Sequence, residues 1–153
     1  MPIAIPERAC SYCANFRGSV PPHGPPAVVF ENDRLYVLMA PASLGGMPGH
    51  TLVCTKRHVE TIMDLTDDEC ADLMRMVRDV ATAVRDEFDP NGIHVQQHNG
   101  VAGWQTVPHV HVHVVPVKQY DDWPPQRWIE TTTSALRIKQ AEAVRARLAI
   151  ARA

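Results

Sequence analysis

The chain has 153 residues, 45% of them hydrophobic and 21% charged, with a net charge of −2. That is the size and composition of one soluble globular domain, long enough to bury a core without a disulfide lattice. No apolar run approaches the ~18 residues of a membrane span, and the first residues lack a basic stretch followed by an apolar core. Collagenous, disordered and membrane-spanning classes are excluded, no export signal is expected, and a cytoplasmic chain with no membrane partner is the expectation.

In chain order, the first feature is Cys10-Ser11-Tyr12-Cys13. A C-x-x-C knuckle offers two thiolates to one metal ion, or forms a redox pair; redox pairs normally follow a strand, and none precedes this one. Residues 18–26 are rich in proline and glycine and read as a loop containing His23. Strands are predicted over Ala27–Phe30 and Leu35–Met39, joined by a turn at Asn32-Asp33. A loop with three glycines and two prolines spans Ala40–Gly49, followed by a strand over His50–Thr55. Thr66-Asp67-Asp68-Glu69 is a capping box, and Cys70, Leu73, Val77, Val80, Ala81, Val84 and Phe88 continue it as one apolar helical stripe. Cys54 and Cys70 are expected to be core thiols, and Met74 and Met76 core filler. Asp89-Pro90-Asn91-Gly92 stops that helix.

Two further strands, Ile93–His98 and Val110–Val117, flank a polar loop, and a helix over Ser134–Ala151 closes the chain. Residues 126–153 carry six basic and two acidic side chains, a net of +4, leaving −6 on the rest. The basic residues are spread out and lack interleaved aromatics, so a solvated helix is expected rather than a nucleic-acid contact. The β-β-β-α-β-β-α order predicts an α+β domain: an antiparallel sheet of about five strands with helices on one side.

The chain has eight histidines, and five of them fall between positions 94 and 113. In His109-Val110-His111-Val112-His113, alternation along a strand puts three imidazoles on one face and valines on the other. Three histidines in strict alternation beside a glycine-containing loop are not accounted for by a core role. They could ligate a catalytic metal, or one could be a nucleophile whose neighbours hold phosphate oxygens. The preceding loop offers Asn99, Gly103, Gln105 and Thr106 rather than carboxylates, which favours the phosphate reading. His94 and His98 read as half-buried side chains without a role.

His109–Val115 resembles the His-φ-His-φ-His-φ-φ signature (φ apolar) of the histidine triad (HIT) proteins. Asn99-Gly100-x-x-Gly103-x-Gln105-Thr106 is similar to the loop before that signature, Pro48–Val59 to the family's P-G-H-x-L-V-x-x-K-x-H segment, and Trp123-Pro124-Pro125 to the tail of its Hint branch. The resemblance implies a HIT-like fold over residues 1–125, with 126–153 a basic helical extension, and a homodimer. It implies hydrolysis of nucleoside phosphoramidates or related α-phosphate substrates, with purine nucleotides expected, through a nucleotidyl intermediate on His111. His113 and His50 would stabilise the phosphate charge, and Asn99, Gly103, Gln105, Thr106 and Trp123 would contact substrate. No catalytic metal is required; a structural zinc is implied at Cys10, Cys13, His58 and His109. The alternatives are a dinucleoside polyphosphate hydrolase or nucleotidyl transferase, a nucleotide-binding module with little turnover, and a zinc hydrolase with all three triad histidines on the metal. The sequence departs from the family pattern in lacking an aspartate over Ala40–Met47, in Val117, where an arginine often follows the triad strand, and in Trp104, where a small residue is usual.

Overall fold

The computed structural model describes residues 10–18, 24–43, 47–120 and 129–152. His23 and Trp123 lie outside them. The elements are α1 (Ser11–Phe16), β1 (Val28–Glu31), β2 (Leu35–Met39), β3 (Ala42–Ser43), β4 (Thr51–Thr55), α2 (Asp67–Phe88), β5 (Gly92–Gln97), β6 (His111–Val117), β7 (Ile129–Thr131) and α3 (Ser134–Ala151). Five strands form one antiparallel sheet in the order β1-β2-β4-β6-β5, so β6 is internal and β5 is an edge. The α+β expectation holds.

Local chemistry sets the element ends. Asn32 Oδ1 accepts from the backbone N–H of Arg34 and Leu35 at 2.9 and 2.7 Å, closing the β1–β2 turn as an Asx turn. Thr66 caps α2: its hydroxyl accepts from Glu69 N, while its own N–H donates to the Glu69 carboxylate at 2.9 Å. Asp89 ends the helix in the left-handed region, at φ 48°.

Helices α2 and α3 cover one face of the sheet. Leu73, Met76, Val77, Val80, Ala83 and Val84 of α2 share a core with Ala141, Val144 and Leu148 of α3 and with the β6-side valines Val110, Val112 and Val114. The C-terminal helix thus contributes to the main core. Its basic side chains are engaged at home: Arg145 donates to the carbonyl of Val28 at 2.5 Å, Arg147 pairs with Glu87 at 3.0 Å, and Arg152 stacks 4.8 Å over the Phe30 ring. Among the described residues no helix is long and apolar enough to cross a membrane.

The short α1 lies on the other face. Phe16 packs 4.6 Å from Tyr36, joining a smaller cluster of Tyr36, Leu38, Leu52 and Cys54. Six residues without a side-chain cap do not make a stable helix alone, so tertiary packing holds it. Three expectations are corrected. Cys70 and Met74 are exposed, because α2 turns Met76 and Ala83 to the core instead. The Ala40–Gly49 segment contains β3, which pairs with β7 from far along the chain. His50 and Val110, the first residues of two predicted strands, stand just outside β4 and β6, and His109 lies in the bend that leads into β6.

Candidate active site

The triad face is built by strand parity. Val110, Val112 and Val114 enter the core, which turns His109, His111 and His113 to the α1 side. In register, Cys54 stands opposite His111, and Leu52 and Gln96 stand opposite His113 on its two sides. All three histidines are buried, with exposures of 0, 2 and 7%.

His111 has a fixed tautomer. Its Nδ1–H donates to the carbonyl of His109 at 2.7 Å, so the lone pair of the neutral ring is on Nε2. Burial holds its pKa below the usual histidine value. His50 reaches the same face because Gly49 adopts φ 105°, with Phe88 packed so close that a Cβ there would sit 2.6 Å from its ring. His50 Nδ1–H donates to the carbonyl of Ala42 at 2.7 Å, leaving Nε2 to accept from His113 Nδ1–H at 3.0 Å. The neutral His113 ring then carries its lone pair on Nε2, and its centroid is 4.9 Å from that of His111. Burial first, with neighbouring imidazoles adding to it for His113, pushes His50 down to about 4 and His113 to about 2. All three imidazoles are thus neutral at physiological pH.

A second cluster adjoins the first. One ligand atom each from Cys10, Cys13, His58 and His109 falls within 4.8 Å of the others. Cys10 Sγ and Cys13 Sγ lie 3.4 and 3.5 Å from His109 Nδ1, and Cys13 Sγ lies 3.5 Å from His58 Nδ1. Tetrahedral zinc, with bonds of about 2.3 Å to sulfur and 2.0–2.1 Å to nitrogen, places such atoms roughly 3.6 Å apart. His109 Nε2–H donates to the Thr55 carbonyl at 2.6 Å, which turns the Nδ1 lone pair toward the thiols. The donor set fits a metal ion and fills a tetrahedron. It leaves out His111 and His113, against the reading in which all three triad histidines bind one metal. His58 is held by its neighbours: Arg57 forks onto Glu69 with two 2.7 Å bonds, and the Val110 N–H donates to the Val59 carbonyl at 2.7 Å.

The loop before the triad is tied down by its own side chains. Gln105 Oε1 accepts from Gly100 N at 2.7 Å, and Gln105 Nε2 donates to the Glu60 carbonyl at 2.6 Å. Asn99 Oδ1 accepts from Ile62 N at 2.9 Å. Gly103 closes a 3-10 turn onto Gly100, and Thr106 is exposed beside Gln105. Two neighbours of the triad escaped sequence reasoning. His98 sets its ring, tilted by 46°, 5.5 Å from that of His113; it shares a face with Gln96, a relation visible only once β5 is paired with β6. Tyr12, between the two cysteines, packs edge-to-face with its ring centroid 5.7 Å from that of His109 and 5.1 Å from that of His111, and burial keeps its hydroxyl protonated.

An antiparallel sheet that displays three alternating histidines beside a closed Cys₂His₂ set defines a class of small domains with a histidine-based site. The chain belongs to the HIT family: the HIT domain matches residues 23–120. It is 32% identical over 111 residues to the adenosine 5'-monophosphoramidase hnt1 of Schizosaccharomyces pombe, covering 71% of this chain and 74% of that one. It is 40% identical over 75 residues to a bis(5'-adenosyl)-triphosphatase of Dictyostelium discoideum, of which it spans about half (50%; 49% of this chain). A Zn-bound histidine triad family protein from Mycobacterium smegmatis superposes with a TM-score of 0.76 at 25% identity, covering 95% of this chain and 96% of that one.

Proposed function

We propose that the chain is a nucleotide hydrolase that cleaves at the α-phosphorus of nucleoside phosphoramidates or related nucleotides through a covalent intermediate on His111. The observation that carries this is the 2.7 Å bond from His111 Nδ1 to the His109 carbonyl, which commits Nε2 to the unprotonated, nucleophilic state. The Nε2 lone pair forms a bond to phosphorus. The bond from phosphorus to the leaving nitrogen or oxygen breaks, its electron pair going to the leaving group, which takes up a proton. Water then attacks phosphorus, the P–Nε2 bond returns its pair to His111, and the proton released from water restores the balance. The product is a nucleoside monophosphate.

The His113–His50–Ala42 chain supports the charge that develops. A phosphate placed beside His113 favours the protonated ring, opposing the burial that keeps it neutral beforehand. His50 accepts from His113 Nδ1 and passes the polarisation to the Ala42 carbonyl. A neutral resting site that becomes cationic only against substrate stabilises the transition state more than the free protein.

Zinc at Cys10, Cys13, His58 and His109 belongs to the same reading. Four protein ligands would leave such an ion no position for a water, so it would supply rigidity and no chemical step. Asn99, Gly103, Gln105 and Thr106 shape the phosphate loop, with Thr106 the outward-facing member, and Trp123, outside the described residues, is proposed as a further substrate contact on the strength of the Hint-like motif alone. A homodimer is proposed through the edge strand β5, whose Val95 is 47% exposed. Purine nucleotides are the proposed substrates, and the cytoplasm the proposed location. The similarity to the triphosphatase favours dinucleoside polyphosphates as a second substrate class for the same nucleophile. Intact-mass measurement after brief mixing with an adenylyl phosphoramidate tests the reading. Wild-type protein should gain the mass of one adenylyl group, and His111→Asn should neither gain it nor turn over. Sustained turnover in His111→Asn would overturn the mechanism.

A further inference from the structure

We infer that Trp104 is the specificity-determining residue for leaving groups that carry a planar aromatic ring; this rests on the proposed nucleotidyl transfer. Trp104 is 77% exposed, and among the described residues its indole has no hydrogen-bond or ring partner. Its backbone nevertheless stands at φ 68°, a left-handed conformation that bulky residues rarely adopt. Only one other described non-glycine residue, the helix-ending Asp89, shares that sign of φ. A large apolar side chain held out in water on a strained backbone contributes little to the fold, and such outliers gather at ligand sites.

The surrounding hydrogen bonds make the position rigid rather than accidental. The segment from His98, whose ring lies against His113, to His109, which sits in the metal cluster, is anchored on the triad at both ends. Between those anchors, Trp104 N donates to the Val101 carbonyl at 3.0 Å, Gln105 N to the Gly100 carbonyl at 3.1 Å, and the Gln105 side chain bridges Gly100 and Glu60. Gln105, buried at 9% exposure, thus fixes the residue before it. Val101, 84% exposed on the same turn, adds apolar surface to the same tip. An indole on a fixed loop whose two ends, His98 and His109, are tied to the triad offers an aromatic face at low entropic cost, and stacking on it accepts any planar ring. Two sources supply such a ring: the base of a second nucleoside and an aromatic amine.

The test compares three substrates with one adenylyl group and different leaving groups: ammonia, an aromatic amine, and a second adenosine joined through phosphates. Trp104→Gly should lose about tenfold in kcat/KM on ring-bearing substrates, the size of one stacked ring, mainly through KM. It should change by less than about twofold on the ammonia substrate, and Trp104→Phe should recover most of the loss. Tm should hold or rise in Trp104→Gly, since glycine accepts the left-handed backbone. Loss on the amine alone, or on the second adenosine alone, supports the inference and assigns the source. Equal loss on all three substrates, no loss on any, a lower Tm, or an altered oligomeric state would overturn it. Wild-type protein inactive on all three would sink the nucleotidyl chemistry and this inference with it; wild-type activity with an insensitive Trp104 sinks this inference alone.

Discussion

Removing the proposed zinc from the Cys10–Cys13–His58–His109 cluster is the perturbation with the widest expected structural consequence. The sulfur–nitrogen separations of 3.4–3.5 Å are already those of ligands around one ion, so binding requires little rearrangement. A metal held at a thousandfold above its dissociation constant stabilises the folded state by about 4 kcal/mol. For a chain of this length each kcal/mol shifts Tm by about 2–4 °C, so exhaustive chelation should lower Tm by about 8–16 °C. The assay is thermal unfolding with and without chelator, alongside elemental analysis of zinc per chain. Cys10→Ser and Cys13→Ser should each reduce bound zinc and reproduce the fall, while His111→Asn should keep one zinc. Zinc that survives both cysteine substitutions but leaves with His111 would place the metal on the triad and refute the clamp. A Tm indifferent to chelator in zinc-loaded protein would refute its energetic role.

Stability should fall on acidification between pH 6.5 and 4. His50 is held at about 4 and His113 at about 2, so the unfolded chain binds protons below its ordinary histidine pKa that the folded chain does not. The unfolded state therefore gains with falling pH, by up to about 1.4 kcal/mol per pH unit for each such histidine. Urea titrations at pH 7, 5.5 and 4.5 should show this slope, and a flat profile would count against burial of the neutral pair. Thr66→Ala, which removes the α2 cap, should cost about 1 kcal/mol and leave kcat/KM unchanged; a loss of activity at constant stability would show that α2 reaches the site in some other way.

What the sequence discloses depends on how local the cause is. The α2 start, the Asn32 turn and the parity of His109, His111 and His113 each follow from residues within a few positions of one another, and each is present in the structure. Features that depend on distant partners were not legible. The β3–β7 pair joins Ala42–Ser43 to residues far along the chain, and α1 has neither length nor cap to announce it. Cys70 and Met74 were misread because a single stripe cannot show how α2 divides its surface between the sheet and α3. The net charge of the C-terminal segment suggested a solvated helix, but Arg137 is buried and Arg145 bonds the β1 backbone, which only the fold reveals.

Asn99 and Gln105 show the same limit at the site. Their amides look like phosphate donors from the sequence, yet Gln105 bonds the backbone of Gly100 and Glu60, and Asn99 bonds the Ile62 backbone and the Gln97 side chain. An amide so engaged fixes the backbone that carries Gly103, Trp104 and Thr106, and in the proposed mechanism it would act on substrate only through that backbone.

His109 explains why two clusters occupy one strand. Its ring Nδ1 faces the cysteines, its Nε2–H bonds Thr55, and its backbone carbonyl accepts from His111. The residue that joins the metal set is thus the one whose carbonyl fixes the tautomer of the proposed nucleophile. A metal on the ring would restrain the peptide unit that carries that carbonyl, so the proposed metal binding and nucleophile alignment would be mechanically coupled within one residue. The coupling has a direction. Loss of the metal should loosen the His111 orientation and lower kcat with KM little changed, because a misdirected Nε2 affects attack more than docking. By contrast, a substitution at His50 leaves the His109 carbonyl in place, and under the proposed mechanism it should lower charge stabilisation without disturbing the His111 orientation.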